Sequence, residues 1–186
     1  MKKFFFLMPL ILVALFSCEK EEPVVTSIDL DKSELELKVG ETYDFKVSHN
    51  PPDAKAPTYE WNVSQYYPLW GGGQGVDIAR IDQLGHFEAT DVGETYVTVM
   101  TTDIIDPVTG ERFIRRCKVI IKPIEAEGLK LDKTEITIDP KKKEILTCTI
   151  SPENATNKSL YWKTSNSNVV TVSPKGDNSN QCELTA

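Results

Sequence analysis

Histidine is nearly absent from this chain. His49 and His86 are its only two, and no second metal-ligating or nucleophilic motif stands beside either. The chain has no His-Glu-x-x-His, no Gly-x-Ser-x-Gly and no Cys-x-x-Cys. Those absences exclude the common zinc-hydrolase, serine-hydrolase and dithiol arrangements. No cofactor motif is present either: Gly71-Gly72-Gly73-Gln74-Gly75 lacks the Gly-Lys-Ser/Thr of a phosphate loop. Basic residues are in deficit, with 21 Lys and Arg against 28 Asp and Glu. Nucleic-acid affinity comes largely from Lys and Arg neutralising phosphates, so nucleic acid is not an expected partner. Long apolar runs are missing as well. The longest, Phe4–Phe16, has 13 residues and contains Pro9, whereas a spanning helix needs about 20.

What that run does fit is a secretory signal, since Lys2 and Lys3 precede it and Ser17 closes it. The next residue, Cys18, gives Leu15-Phe16-Ser17-Cys18, which resembles the lipobox of bacterial lipoproteins. The resemblance implies cleavage after residue 17 and diacylation of the Cys18 thiol. Buried acyl chains contribute about 0.8 kcal/mol per CH₂, so two or three chains hold a protein on a bilayer. Residues 18–23 then form an acidic tether. Its Glu19-Lys20-Glu21-Glu22 resembles the export signal of Bacteroidetes surface lipoproteins. That resemblance implies an outer-membrane, lipid-anchored protein exposed at the cell surface. Losing residues 1–17 removes Lys2 and Lys3 and no acid, leaving 19 basic and 28 acidic groups and a net charge of −9.

Self-similarity organises the rest. Leu30-Asp31-Lys32-Ser33-Glu34-Leu35 recurs as Leu131-Asp132-Lys133-Thr134-Glu135-Ile136, 101 residues later. The same offset takes Pro51 to Pro152, Ala54 to Ala155, Trp61 to Trp162 and Ser64 to Ser165. A period near 100 residues suits a whole domain rather than a solenoid unit. The expected division is residues 24–123 and 124–186.

Within each repeat the pattern has period two. Leu35, Leu37 and Val39 alternate with charged residues; Leu146, Cys148 and Ile150 alternate with Thr147 and Thr149; Val97 and Val99 alternate with Tyr96 and Thr98. Alternation among Val, Ile, Thr and Tyr predicts half-buried antiparallel strands. Turn chemistry at Asn50-Pro51-Pro52-Asp53, Asp91-Val92-Gly93 and Asp106–Gly110 separates them. No apolar helix stripe follows the signal. The expected fold class is all-β, as tandem β-sandwiches.

Ser27-Ile28-Asp29-Leu30, Leu35-Glu36-Leu37, Val39-Gly40-Glu41-Thr42, Asn50-Pro51 and Trp61 together resemble the bacterial immunoglobulin-like family, group 2, related to invasin and intimin repeats. The second repeat matches with Leu129-Lys130-Leu131, Ser151–Thr156 and Trp162–Asn166. The resemblance implies a spacer or adhesion module, and a fold of this kind does not by itself fix an activity. Two departures stand out. The first repeat carries an insertion, 65–76. The second reaches Ala186 without counterparts of Thr95–Thr101 and Arg112–Ile121, so an incomplete second sandwich is expected. Either the sequence is part of a longer protein, or a partner's strand completes it.

Trp61 and Trp162 occupy equivalent positions and are expected in the cores. Cys148 and Cys182 share the apolar phase of their strands, on strands that neighbour each other in the family's layout. They are expected to form a cross-strand disulfide or remain as two buried thiols. Cys117 shares its phase with Val119 and Ile121, which suits a buried free thiol. In the insertion, Tyr66, Tyr67 and Trp70 either stack on a ligand such as a sugar ring or fold back over the sandwich end. Asp103 and Asp106 suit an ordinary turn better than a Ca²⁺ site. The reading is a membrane-anchored adhesion or stalk lipoprotein, not an enzyme, with polysaccharide or a host or cell-surface protein as partner. Its alternatives are a glycan-binding lipoprotein of an outer-membrane uptake system and the N-terminal part of a hydrolase catalysing beyond Ala186.

Overall fold

The computed structural model describes residues 22–64, 77–176 and 179–186. Among them the chain is all-β, with thirteen strands and no α-helix. No helix among the described residues is long and apolar enough to cross a membrane.

Nine strands belong to residues 22–123: β1 Ser27–Leu30, β2 Glu34–Lys38, β3 Thr42–Asp44, β4 Val47–Asn50, β5 Tyr59–Val63, β6 Ala79–Ile81, β7 His86–Ala89, β8 Gly93–Thr101 and β9 Ile114–Lys122. One layer is the sheet β2-β9-β8-β5; the other is made of β1-β4 and β3-β7-β6. The alternating residues decide the packing. Val97, Val99, Cys117, Val119 and Ile121 point inward from β8 and β9, against Phe45, Phe87 and Ala89 of the opposite layer. Trp61 enters this core from β5 and Phe45 lies beside it, ring centroids 6.0 Å apart. A smaller cluster of Val25, Ile28, Ala54 and Phe113 closes one end. Every strand pair here is antiparallel except β2 with β9, which is parallel.

Four strands follow: β10 Gly128–Leu131, β11 Lys143–Ser151, β12 Thr171–Lys175 and β13 Gln181–Thr185, in one sheet of order β10-β11-β13-β12. The repeat legible in the sequence is reproduced here bond for bond. Ser27↔Asn50 pairing in β1–β4 becomes Gly128↔Ser151 in β10–β11. The amide of Lys46 donates to Asp31 Oδ1 at 3.0 Å, and that of Thr147 to Asp132 Oδ1 at 2.8 Å. Ala54 N–H donates to Pro51 O, and Ala155 N–H to Pro152 O. Gly40 N–H donates to Ala89 O, and Lys141 N–H to Ala186 O. A short Asp side chain thus accepts from the equivalent backbone N–H in both units.

The last pair shows a place where the copies differ in cost. Gly40 has φ 85° and Lys141 has φ 67°. Glycine takes the left-handed region freely, while a residue with a Cβ is strained there by about 1–2 kcal/mol. Lys141→Gly is expected to stabilise the second unit by about 0.5–1 kcal/mol, the relief less the extra unfolded-chain entropy. Urea titration of both forms checks this.

Only one sheet forms after Pro123 among the described residues, and the reason lies in the pairing scheme of the first unit. There β2 pairs only with β9, and β5 only with β8. Residues 135–139 and 160–164 are the equivalents of β2 and β5. Among the described residues no counterpart of β8 or β9 lies against them, and neither forms a strand.

Candidate functional site

The insertion is the segment that the sequence marks for ligand contact. Tyr66, Tyr67 and Trp70 lie outside the described residues, as does Cys18. The points where the insertion leaves and rejoins the fold are described. Ser64 N–H donates to Tyr96 O at 3.0 Å, and the Thr95 hydroxyl donates to Ser64 O at 2.6 Å. On the return side, Thr90 N–H and Asp91 N–H both donate to Ile78 O. Both ends are therefore fixed near the start of β8. Tyr96 is half exposed there, with Lys118 opposite it on β9. Its strand phase, opposite to that of Val97, was the signal in the sequence that it faces outward.

The two histidines have separate surroundings. His49 Nε2 lies 3.1 Å from Ala54 O. His86 Nδ1–H donates to Asp44 Oδ1 at 2.6 Å across the β3–β7 ladder. That hydrogen bond raises the His86 pKa above its usual 6.5, helped by the charges of Asp44, Asp82 and Glu88 and opposed by partial desolvation. Asp82 is held below the usual carboxylate range by the backbone N–H groups of His86 and Leu84. A raised folded pKa stabilises the protonated form. The pair's contribution is thus fully present below about pH 6.5 and lost as pH rises through the folded pKa. Asp44→Asn is expected to move the His86 midpoint back down and to flatten the stability–pH curve in that window. An NMR titration of the ring protons, paired with urea midpoints at pH 5.5 and 8.5, reads both.

Asp103 and Asp106 behave as turn residues. Asp103 Oδ1 accepts from Thr58 N–H at 2.9 Å. Asp106 Oδ1 accepts from Val108 N–H at 2.8 Å, and its Oδ2 from the Thr109 hydroxyl at 3.1 Å. These donors lower both pKa values. Among the described residues, no three His, Cys, Asp or Glu side chains converge as metal ligands.

Of the two alternatives open for Cys148 and Cys182, the structure shows the pair of buried thiols. Cys117, Cys148 and Cys182 are all free and buried. β11 and β13 are indeed neighbours, but Cys182 stands opposite Leu146, and Cys148 N–H donates to Asn180 O. The two thiols are diagonal neighbours, a relation that separates residues by about 7–8 Å, beyond the usual reach of a disulfide. Alternation fixes which face a residue takes, not its partner across the ladder. Burial, with the charges of Asp31 and Glu34, pushes the Cys117 thiol up to about 11.

The tryptophans correct an expectation, that both lie in the cores. Trp61 is buried at 5% exposure, whereas Trp162 is only half-buried. The Trp162 Nε1–H donates to Ser179 O at 2.6 Å. Its outer side borders an open groove with Leu129, Leu131, Leu160 and Tyr161. The register gives the comparison in numbers. Ile28 is 0% exposed and its equivalent Leu129 is 66%; Ile78 is 3% exposed and its equivalent Val169 is 63%. Clustered apolar exposure of this kind marks an interaction surface more often than scattered single residues do.

No family model matches the chain. It is 26% identical over 162 residues to an uncharacterized protein of Clostridium acetobutylicum, covering 87% of this chain and 15% of that protein. It is 37% identical over 62 residues to an uncharacterized protein of Bacillus cereus, covering 32% of this chain and 47% of that one. The chain thus spans less than half the length of either relative. Among solved structures it is similar to domains 5–6 of the S-layer protein SbsC, at 12% identity and a TM-score of 0.39, covering 88% of this chain and 84% of that one. Domains 4–9 of SbsC give 14% identity and a TM-score of 0.36, with 27% of that chain covered. TM-scores this low do not establish a shared fold.

Proposed function

We propose that this chain is a surface lipoprotein of tandem immunoglobulin-like modules, serving as an adhesion or stalk unit. One observation carries the reading. A single β unit occurs twice along the chain with the same ladder register and the same Asp side chain accepting from the equivalent backbone N–H. Serial repetition of one unit suits presentation at a distance, and chemistry at a centre is not required of it. The anchor in this reading is Cys18, which follows a signal too short to span a bilayer.

The test is metabolic labelling with an alkyne-tagged fatty acid, followed by protease treatment of intact cells. The wild-type chain should take up label and be shaved from the cell surface. Cys18→Ser should take up none and be lost from the membrane fraction. An unlabelled wild-type protein would sink the anchor. A labelled protein that resists protease on intact cells would sink surface exposure.

A further inference from the structure

The first unit has one end where the chain enters and another where it leaves. At the entry end Val25 packs with Ile28, Ala54 and Phe113. Thr26 N–H donates to Asn50 O there, which pins the entering chain to β4. The connection between β8 and β9, residues 102–113, lies at this same end, since Ile104 and Phe113 pack in that cluster. The nine residues of β9 then span about 26 Å, so Lys122 leaves from the opposite end.

The 102–113 connection is a fixed turn that displays apolar side chains. At its base the Thr101 hydroxyl donates to Ile104 O at 2.9 Å, and Phe113 N–H donates to Thr101 Oγ1 at 3.2 Å. Its tip closes on Asp106. The Asp106 N–H donates to Glu111 O, its carbonyl accepts from Gly110 N–H, and its Oδ1 accepts from Val108 N–H. Ile104 turns inward to the cluster, while Ile105 and Val108, either side of Asp106, are 58% and 90% exposed. Pro107 between them is exposed too. Val24, on the entering chain, is a further exposed apolar residue at this end. Apolar exposure gathered at one end marks a contact surface more than scattered single residues do.

We propose that Ile105, Pro107 and Val108, with Val24 at the same end, form a second membrane contact, seated in the headgroup layer of a lipid bilayer. The proposal rests on the Cys18 anchor put forward above. Glu22 is four residues on from Cys18, a step of at most about 14 Å, so an acylated Cys18 keeps this end of the unit within that reach of the bilayer. Side chains on a turn already closed by hydrogen bonds lose little freedom on entering the interface, and they gain by leaving water. A weak apolar contact adds to a lipid anchor as a second signal. Asp103, Asp106 and Glu111 stand on the same connection and disfavour anionic headgroups, so the bilayer it suits is zwitterionic or neutral. Seated this way, the unit directs β9 and Lys122 away from the membrane.

The test uses the chain from Cys18 onward, coupled through the Cys18 thiol to maleimide lipid in phosphatidylcholine vesicles. The other three cysteines are buried and react slowly. Coupling supplies the anchor by chemistry, so a negative result counts against the lipid contact and not against acylation in the cell. Amide hydrogen exchange over 103–112 should slow at least about threefold on the vesicles relative to the uncoupled chain, while the turn at 90–93, at the far end, should not change. Ile105→Ser with Val108→Ser should abolish the slowing at an unchanged urea midpoint, both positions being exposed. Ile105→Leu with Val108→Leu should retain it. Unchanged exchange in the coupled wild-type chain overturns the proposal. Equal slowing in the double Ser variant also overturns it, since nearness through the tether would then be the whole cause. Slowing without vesicles as protein concentration rises would mean a second copy covers the tip, and overturns it as well.

Discussion

Trp61→Ala is expected to destabilise the first unit by about 3–5 kcal/mol, and Trp162→Ala the second by only about 1–2 kcal/mol. Removing a large buried ring costs its transfer free energy and leaves a cavity whose walls relax incompletely. Trp61 has such walls: Phe45 lies on one side, and the backbone of Gly85 is so close that a Cβ there would meet the ring at 3.0 Å. The Gln83 side chain also brackets the residue, accepting from Trp61 N–H at 3.2 Å and donating to Trp61 O at 3.1 Å. Trp162 has solvent on one side, and its loss forfeits one hydrogen bond and part of a contact surface. A loss of several kcal/mol is a large fraction of what a small domain has, so Trp61→Ala should leave the first unit largely unfolded at 37 °C. Near-ultraviolet dichroism and urea midpoints would show it. Equal losses for the two variants would mean that Trp162 is covered in solution.

Gly85→Ala carries the second large effect, about 2–4 kcal/mol of destabilisation. Two causes add. Gly85 has φ 86°, where a side chain is strained by about 1–2 kcal/mol. Its new methyl group would also meet Trp61 Cζ2 at 3.0 Å and Phe45 O at 3.1 Å, and neither a core indole nor the backbone of the buried Phe45 yields readily. Gly110→Ala separates the causes. Its φ is 74°, yet nothing lies within 4 Å of the added atom. It should cost only about 1–2 kcal/mol, the backbone part alone. Urea denaturation of the two variants checks the difference, which measures the packing of Gly85 under Trp61. Matching losses would show that the ring moves aside.

The repeat and the strand faces were legible in the sequence. Asp31 and Asp132 keep their offset and each accepts from the equivalent backbone N–H, and Val97 and Val99 announced a buried face through their phase. Register was not legible. Cys148 and Cys182 fall on apolar positions of adjacent strands, but a shift of two residues keeps the face and changes the partner. The state of Trp162 was hidden for a related reason. A tryptophan reads as core wherever it stands in a repeat, and only the pairing scheme shows that its cover depends on strands far along the chain. Of the ligand-contact residues expected in the insertion, the structure describes only the flanks, Ser64 and Asp77.

The parallel run of β2 against β9 has a mechanical consequence. Glu34–Lys38 lies near the point where the chain enters the first unit, and Ile114–Lys122 is where it leaves. Tension between those two ends pulls parallel strands in opposite directions along their common axis. The load then falls on the whole ladder at once in shear, rather than on one bond at a time as when a hairpin is peeled open. The short β1–β4 ladder would yield first, and the β2–β9 ladder would then hold.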